Sequence, residues 1–155
     1  MAPIYTLHRA MQRALVLAAA AAARTPADAP VGAVLLDADG RVLAEAHNEV
    51  EAAADPTAHA EILAIRRAAA ARGRARLDGC TLVVTLEPCA MCAQATAHAR
   101  IARLVFGAWD PKGGGVDHGA RVFDRETCTH RPEVVGGLME AEAAALLMAF
   151  FRARR

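Results

Sequence analysis

Hydrophobic and polar positions divide the chain into alternating helical and extended stretches. From Thr6 to Arg24 apolar residues recur at helical spacing and alanine dominates, so the pattern predicts a first helix there. Val31 to Leu36 is an apolar run of strand length, and Asp39-Gly40 supplies a hairpin turn into a second strand, Arg41 to Ala46. Asp55-Pro56 pairs a capping residue with a proline, a combination that opens helices, and predicts a helix to about Arg72. Cys80 to Leu86, rich in threonine and valine, reads as a strand. Pro88 opens another helix to about Arg100, and Leu104 to Gly107 is a short strand followed by a glycine-rich loop, Lys112 to Gly119. Glu133 to Val135 supplies a last strand before a helix from Glu140 to Arg152. Strands alternating with helices predict a layered α/β domain with a mostly parallel or mixed sheet. With no internal repeat and no interdomain linker, residues 1–155 are expected to form a single domain.

Composition changes this picture in few places. Hydrophobic residues make up 55% of the 155 positions, but alanine inflates that figure, so the core is expected to be tight and rich in small residues. A net charge of +1 argues neither for nor against nucleic acid. Charge is unevenly placed, however. Arg66, Arg67, Arg72, Arg74 and Arg76 cluster, and the sequence ends Arg152-Ala-Arg154-Arg155. Each run suits phosphates, and each also reads as a solvated helix face or tail. Arg9 and Arg13 before the apolar run Ala14 to Ala23 resemble a signal peptide. That run is too short to span a bilayer, and the first helix is the better reading, because cleavage would remove the cover of the strand at Val31. No membrane partner is expected. The 4 cysteines are too unevenly spaced for a disulfide framework, Cys80 and Cys128 are expected to be buried inert thiols, and a reducing cytoplasm fits.

Candidate chemistry concentrates in His59-Ala60-Glu61 and Pro88-Cys89-Ala90-Met91-Cys92. His59, Cys89 and Cys92 supply three zinc ligands, and Glu61 is a carboxylate that is not one of them. A structural zinc closes its shell with four protein ligands, whereas a catalytic zinc keeps one position for water. One histidine, two cysteines and an adjacent glutamate form the known signature of zinc-dependent base deaminases. A lone CxxC is more often a structural half-site or a redox pair, and a lone HxE says little; their combination, each at an expected helix start, carries the reading. Cys89 and Cys92 lie one turn apart, on one helix face, where the positive helix end favours thiolates. His59 and Glu61 would not point the same way on a regular helix. His59 is therefore assigned to the metal and Glu61 to the water, as general acid and base. His98, further along the Cys92 helix, either neighbours the site or sits at a helix or subunit contact.

On these residues the chain resembles the bacterial tRNA adenosine deaminases, which convert wobble adenosine to inosine. The matching stretches are Pro30-Val-Gly-Ala-Val34, Asn48, Asp55-Pro-Thr-Ala-His-Ala-Glu-Ile62, Thr85-Leu-Glu-Pro-Cys-Ala-Met-Cys-Ala93, Val105-Phe-Gly-Ala108 with Asp110 and Lys112, and Phe150-Phe-Arg152. HAE and PCxxC identify the wider cytidine-deaminase-like superfamily, and the flanking residues favour the tRNA branch. The short spacing between the two cysteines argues against the riboflavin-pathway deaminases, which carry a longer insert. The resemblance implies a three-layer α/β/α sandwich around a five-stranded mixed sheet, a cytoplasmic homodimer with one zinc per subunit, and a tRNA anticodon stem-loop as partner, with no DNA partner. It also implies that Asn48 hydrogen-bonds the flipped nucleoside and that Asp110 and Lys112 lie beside the anticodon nucleotides. Asn48 has a second reading as a turn residue after the second strand, and Asp110 and Lys112 as an Asp-Pro turn and a solvated charge.

Two departures stand out. Gly113-Gly-Gly-Val-Asp-His-Gly119 replaces a Thr-Gly-Ala-Ala-Gly-Ser type of loop, and Trp109 stands where a polar or basic residue is common. The indole either stacks on a base or packs in the core or at a subunit contact. The alternative function is deamination of free guanine, cytosine or adenosine by the same zinc site, with Phe150 and Phe151 as a lid. A non-catalytic zinc-binding RNA module is a third reading, but it gives Glu61 no role.

Overall fold

The computed structural model describes residues 2–154. Strands β1 Gly32–Leu36, β2 Val42–His47, β3 Thr81–Leu86, β4 Arg103–Ala108 and β5 Glu133–Gly136 form one sheet in the order β2-β1-β3-β4-β5. β1 runs antiparallel to β2 and β3, and β3, β4 and β5 run parallel, so the sheet is mixed. β1 and β3 are buried almost throughout, which explains their near-continuous apolar sequences.

Helices α1 Ile4–Ala23, α2 Val50–Ala53, α3 Ala60–Arg72, α4 Ala90–His98 and α5 Glu140–Arg152 cover the sheet. Successive strand residues face opposite sides and so enter different cores. Val34, Leu36, Val83 and Val105 meet Leu7, Met11 and Ala14 of α1, with Leu138 and Met139 before α5 closing that side. Ala33, Leu35, Leu82, Val84, Leu104 and Phe106 meet the alanine stripes of α3 and α4 on the other. Each fully buried Val, Leu or Phe contributes roughly 1.5–3 kcal/mol, and the alanines add little area but let the helices approach closely. The result is the expected α/β/α sandwich.

Local expectations were revised in three places. α3 begins at Ala60 rather than at Asp55-Pro56. The Asp55 carboxylate accepts hydrogen bonds from the backbone N–H and hydroxyl of Thr57 at 2.9 and 2.7 Å, which ties residues 55–57 into a turn. The cap comes from farther away, because Asn48 Oδ1 accepts the Ala60 N–H at 2.9 Å. α4 likewise begins at Ala90, two residues after Pro88, with Cys89 extended at its N-cap (φ −69°, ψ 175°). α2 was not expected at all. Buried Asp28 supports it by accepting the N–H groups of Glu51 and Ala52 at 2.9 and 3.2 Å. The Asp39-Gly40 hairpin stands as read, with Asp37 Oδ1 accepting the N–H groups of Asp39 and Arg41. Among the described residues, no helix is long and apolar enough to cross a membrane.

Candidate active site

The carboxyl ends of β2 and β3 and the amino end of β1 lie at one edge of the sheet, because β1 is antiparallel to both neighbours. The chain leaves β3 at Leu86 and reaches Cys89 three residues later, at the start of α4. It leaves β2 at His47 and returns through α2 to His59, at the start of α3. Two helix N-termini thus converge where the strands end, which is where ligands commonly bind in α/β sheets.

His59, Cys89 and Cys92 place their donor atoms within 4.8 Å of one another. His59 Nδ1 lies 3.6 Å from Cys89 Sγ and 3.4 Å from Cys92 Sγ. A tetrahedral zinc with Zn–S near 2.3 Å and Zn–N near 2.0–2.1 Å sets sulfur and nitrogen about 3.6 Å apart, so the three side chains are spaced for that ion. Two thiolates with an imidazole also match its ligand preference. The protonation pattern agrees. Cys89 is pushed down to about 4 by the hydrogen bond from the Cys92 thiol, with the His59 hydrogen bond adding to the effect despite partial burial. Cys92 is pushed up as the holder of the shared proton. His59 is raised, chiefly by its hydrogen bond to Cys89. The cluster therefore offers a ready thiolate and one proton that metal binding would release.

Glu61 is buried, 4% exposed, in the first turn of α3. Burial pushes its carboxyl above the ordinary glutamate value. His59 is extended (φ −71°, ψ 151°) and lies outside the helix, which resolves the spacing problem. The histidine and glutamate need not share a helical face because only the glutamate is on the helix. His98 is exposed beside Gln94 and is not among the clustered donors.

His59, Glu61 and Cys89 border a cleft of about 1050 Å³. Asn48 lines it, while its side chain also holds Ala60 N–H and donates to Ala29 O at 3.3 Å. One amide hydrogen of Asn48 is left over from these two bonds, so the turn role and a ligand role are compatible. Asp110 and Lys112 line the opposite wall, where Asp110 Oδ1 accepts the N–H groups of Lys112 and Gly113. Phe150, Phe151 and Arg154 reach the rim from α5 and its end. The Arg154 guanidinium lies 3.5 Å from the Phe150 ring centroid, and Arg155 falls outside the described residues. Cys80 and Cys128 are free, buried and apart from the cleft, as expected.

Glu87 had no assigned role in the sequence, and the structure makes it the organiser of the far wall. Its carboxylate is buried and accepts N–H groups from Asp110, Val116, Asp117 and His118 at 3.0–3.2 Å, and it meets His118 Nδ1 at 2.8 Å. Burial opposes its ionisation, but these bonds outweigh burial and hold its pKa below the usual value. The available signal was a carboxylate placed directly before Pro88-Cys89, where burial requires partners.

A profile of the cytidine and deoxycytidylate deaminase zinc-binding region matches residues 5–108. The chain is 52% identical over 145 residues to a tRNA-specific adenosine deaminase of Agrobacterium fabrum, covering 94% of this chain and 93% of that protein. A solved structure from a study of A-to-I editing by deaminases at the wobble position of transfer RNA superposes with a TM-score of 0.86 at 51% identity, covering 90% of this chain and 99% of that one. A guanine deaminase from Nitrosomonas europaea gives a TM-score of 0.74 at 26% identity, over 96% of this chain and 84% of that one. With the donor set and the mixed sheet in place, these likenesses put the chain in the cytidine and deoxycytidylate deaminase zinc-binding family, in its tRNA-specific adenosine deaminase branch.

Proposed function

We propose that this protein hydrolyses adenosine to inosine, with release of ammonia, at the wobble position of a tRNA anticodon loop. The observation that carries the reading is a buried Glu61 beside a three-donor zinc site in a chain 52% identical to a tRNA-specific adenosine deaminase. His59, Cys89 and Cys92 would hold one zinc per subunit. Zinc so held acidifies water and stabilises charge that develops on oxygen. Glu61 takes one proton from the attacking water and delivers it to the ring nitrogen, then takes the second from the added hydroxyl and gives it to the amine, so that the C–N bond breaks, ammonia leaves and the carbonyl forms. Its burial suits this work, because desolvation raises the carboxyl above the ordinary glutamate value and makes it a better proton acceptor than an exposed glutamate. Asn48 orients the nucleoside, and Asp110 and Lys112 border the anticodon nucleotides. An unpaired loop base leaves its stack at little cost. Residues 1–155 act as one catalytic domain, in a cytoplasmic homodimer.

The test offers the zinc-loaded protein an anticodon stem-loop with adenosine at the wobble position, alongside free adenosine, guanine and cytosine, and follows inosine and ammonia. Conversion of the stem-loop alone is expected. Turnover of a free base with the stem-loop untouched would replace the substrate and leave the zinc chemistry standing.

A further inference from the structure

The geometry points to Trp109 as a fixed stacking platform for an unpaired RNA base that flanks the reacting adenosine. The indole is held on three sides. Its ring meets Phe106 edge to face, with centroids 5.6 Å apart and planes at 90°. Its six-membered ring lies against the Gly136-Gly137 backbone so closely that a Cβ on Gly136 would come 2.9 Å from Cζ2, and one on Gly137 2.8 Å from Cη2. Its Nε1–H is donated to Asp117 Oδ2 at 2.9 Å. Despite these contacts Trp109 is 38% exposed and borders the same cleft as Glu61 and Asn48.

This arrangement joins the two departures from the family pattern. Asp117 belongs to the unusual glycine loop, and that loop is anchored by Glu87 through the N–H groups of Val116, Asp117 and His118. The loop that differs therefore supplies the acceptor that orients the side chain that differs. A ring already fixed by packing and a hydrogen bond loses little conformational freedom when a base stacks on it. Base–aromatic stacking tolerates any base, so the platform adds affinity for single-stranded RNA rather than sequence selection.

This inference rests on the RNA reading above, and its test separates the two. Trp109 is the 1 tryptophan of the chain, so fluorescence excited at the red edge, beyond the absorption of Tyr5, reports on it alone. A wobble-adenosine stem-loop is expected to quench that fluorescence, and an abasic nucleotide on one flank to remove the quench. Trp109→Leu should raise KM for the stem-loop about ten-fold or more with kcat and zinc content unchanged, while Trp109→Phe stays within about three-fold. An unchanged KM in Trp109→Leu overturns the platform, as does saturating RNA that leaves the fluorescence unaltered. Equal damage in both variants, with a lowered melting temperature, also overturns it by reducing the indole to packing. If the stem-loop is never converted the RNA substrate fails on that ground, and the fluorescence titration still decides whether Trp109 meets RNA.

Discussion

The two walls of the cleft are built on different principles. The zinc wall takes His59 and Glu61 from the start of α3 and Cys89 and Cys92 from the start of α4, each pair within one short segment. The opposite wall, Trp109 to Gly119, has no regular secondary structure and takes its shape from one buried carboxylate that sits before Cys89 in the chain. The first wall repeats a short motif, whereas the second is a tertiary assembly of backbone donors around Glu87. Glu87, Pro88 and Cys89 thus connect the walls, since Pro88 O also accepts the Gly115 N–H at 2.8 Å. If the proposed roles hold, the zinc donors and the Glu87-anchored loop can be disturbed separately.

The largest break should come from Cys89→Ala. It removes one of three donors from the zinc wall, so zinc content by atomic absorption should fall to near zero and deamination should become undetectable. A fully loaded, active variant would remove Cys89 from the ligand set. Glu61→Gln should keep the metal but lower kcat about 10²–10⁴-fold, the usual contribution of a general acid–base group. Wild-type turnover in that variant would sink the assigned mechanism.

Loosening the opposite wall at its anchor should leave zinc in place. Glu87→Gln keeps the shape of the side chain but turns an amide N–H toward a backbone N–H, at a cost of about 1–3 kcal/mol. The expected result is a higher KM for RNA and a lower melting temperature with unchanged zinc content. Unaltered RNA kinetics would show that the loop does not depend on its anchor. Gly115→Ala presses on the same joint, because a Cβ there would lie 2.5 Å from Ala90 N at the start of α4. The damage should reach both walls, so zinc affinity as well as RNA kinetics should weaken, and a change confined to one wall would argue that they are independent.

The smallest effect belongs to the turn before His59. Hydrogen bonds from the Thr57 side chain and backbone hold the Asp55 carboxyl below its usual value. A depressed carboxyl contributes stability that is present above the unfolded value near 3.8 and is lost as pH falls through the lowered native one. Asp55→Ala should therefore lower the melting temperature slightly at pH 7, with the difference from wild type vanishing in acid. A difference that persists at pH 2 would place the effect elsewhere than in the ionised carboxylate.

The sequence by itself determined the order of the five strands and of the four long helices, the HAE and CxxC motifs, the choice of zinc and the family. Those features rest on local periodicity and on two short motifs, each confined to a few residues, where short-range geometry decides. Only the tertiary structure decided that α3 starts at Ala60, because its cap is Asn48 at the end of β2 rather than the neighbouring Asp55. Only it made Glu87 an anchor, gave Asp117 to the Trp109 indole and set that indole against Gly136 and Gly137. In each case the partners come from separate turns or strands. A buried carboxylate needs donors and an indole N–H needs an acceptor, but those needs do not name the partner. The partner follows from which segments the sheet brings side by side.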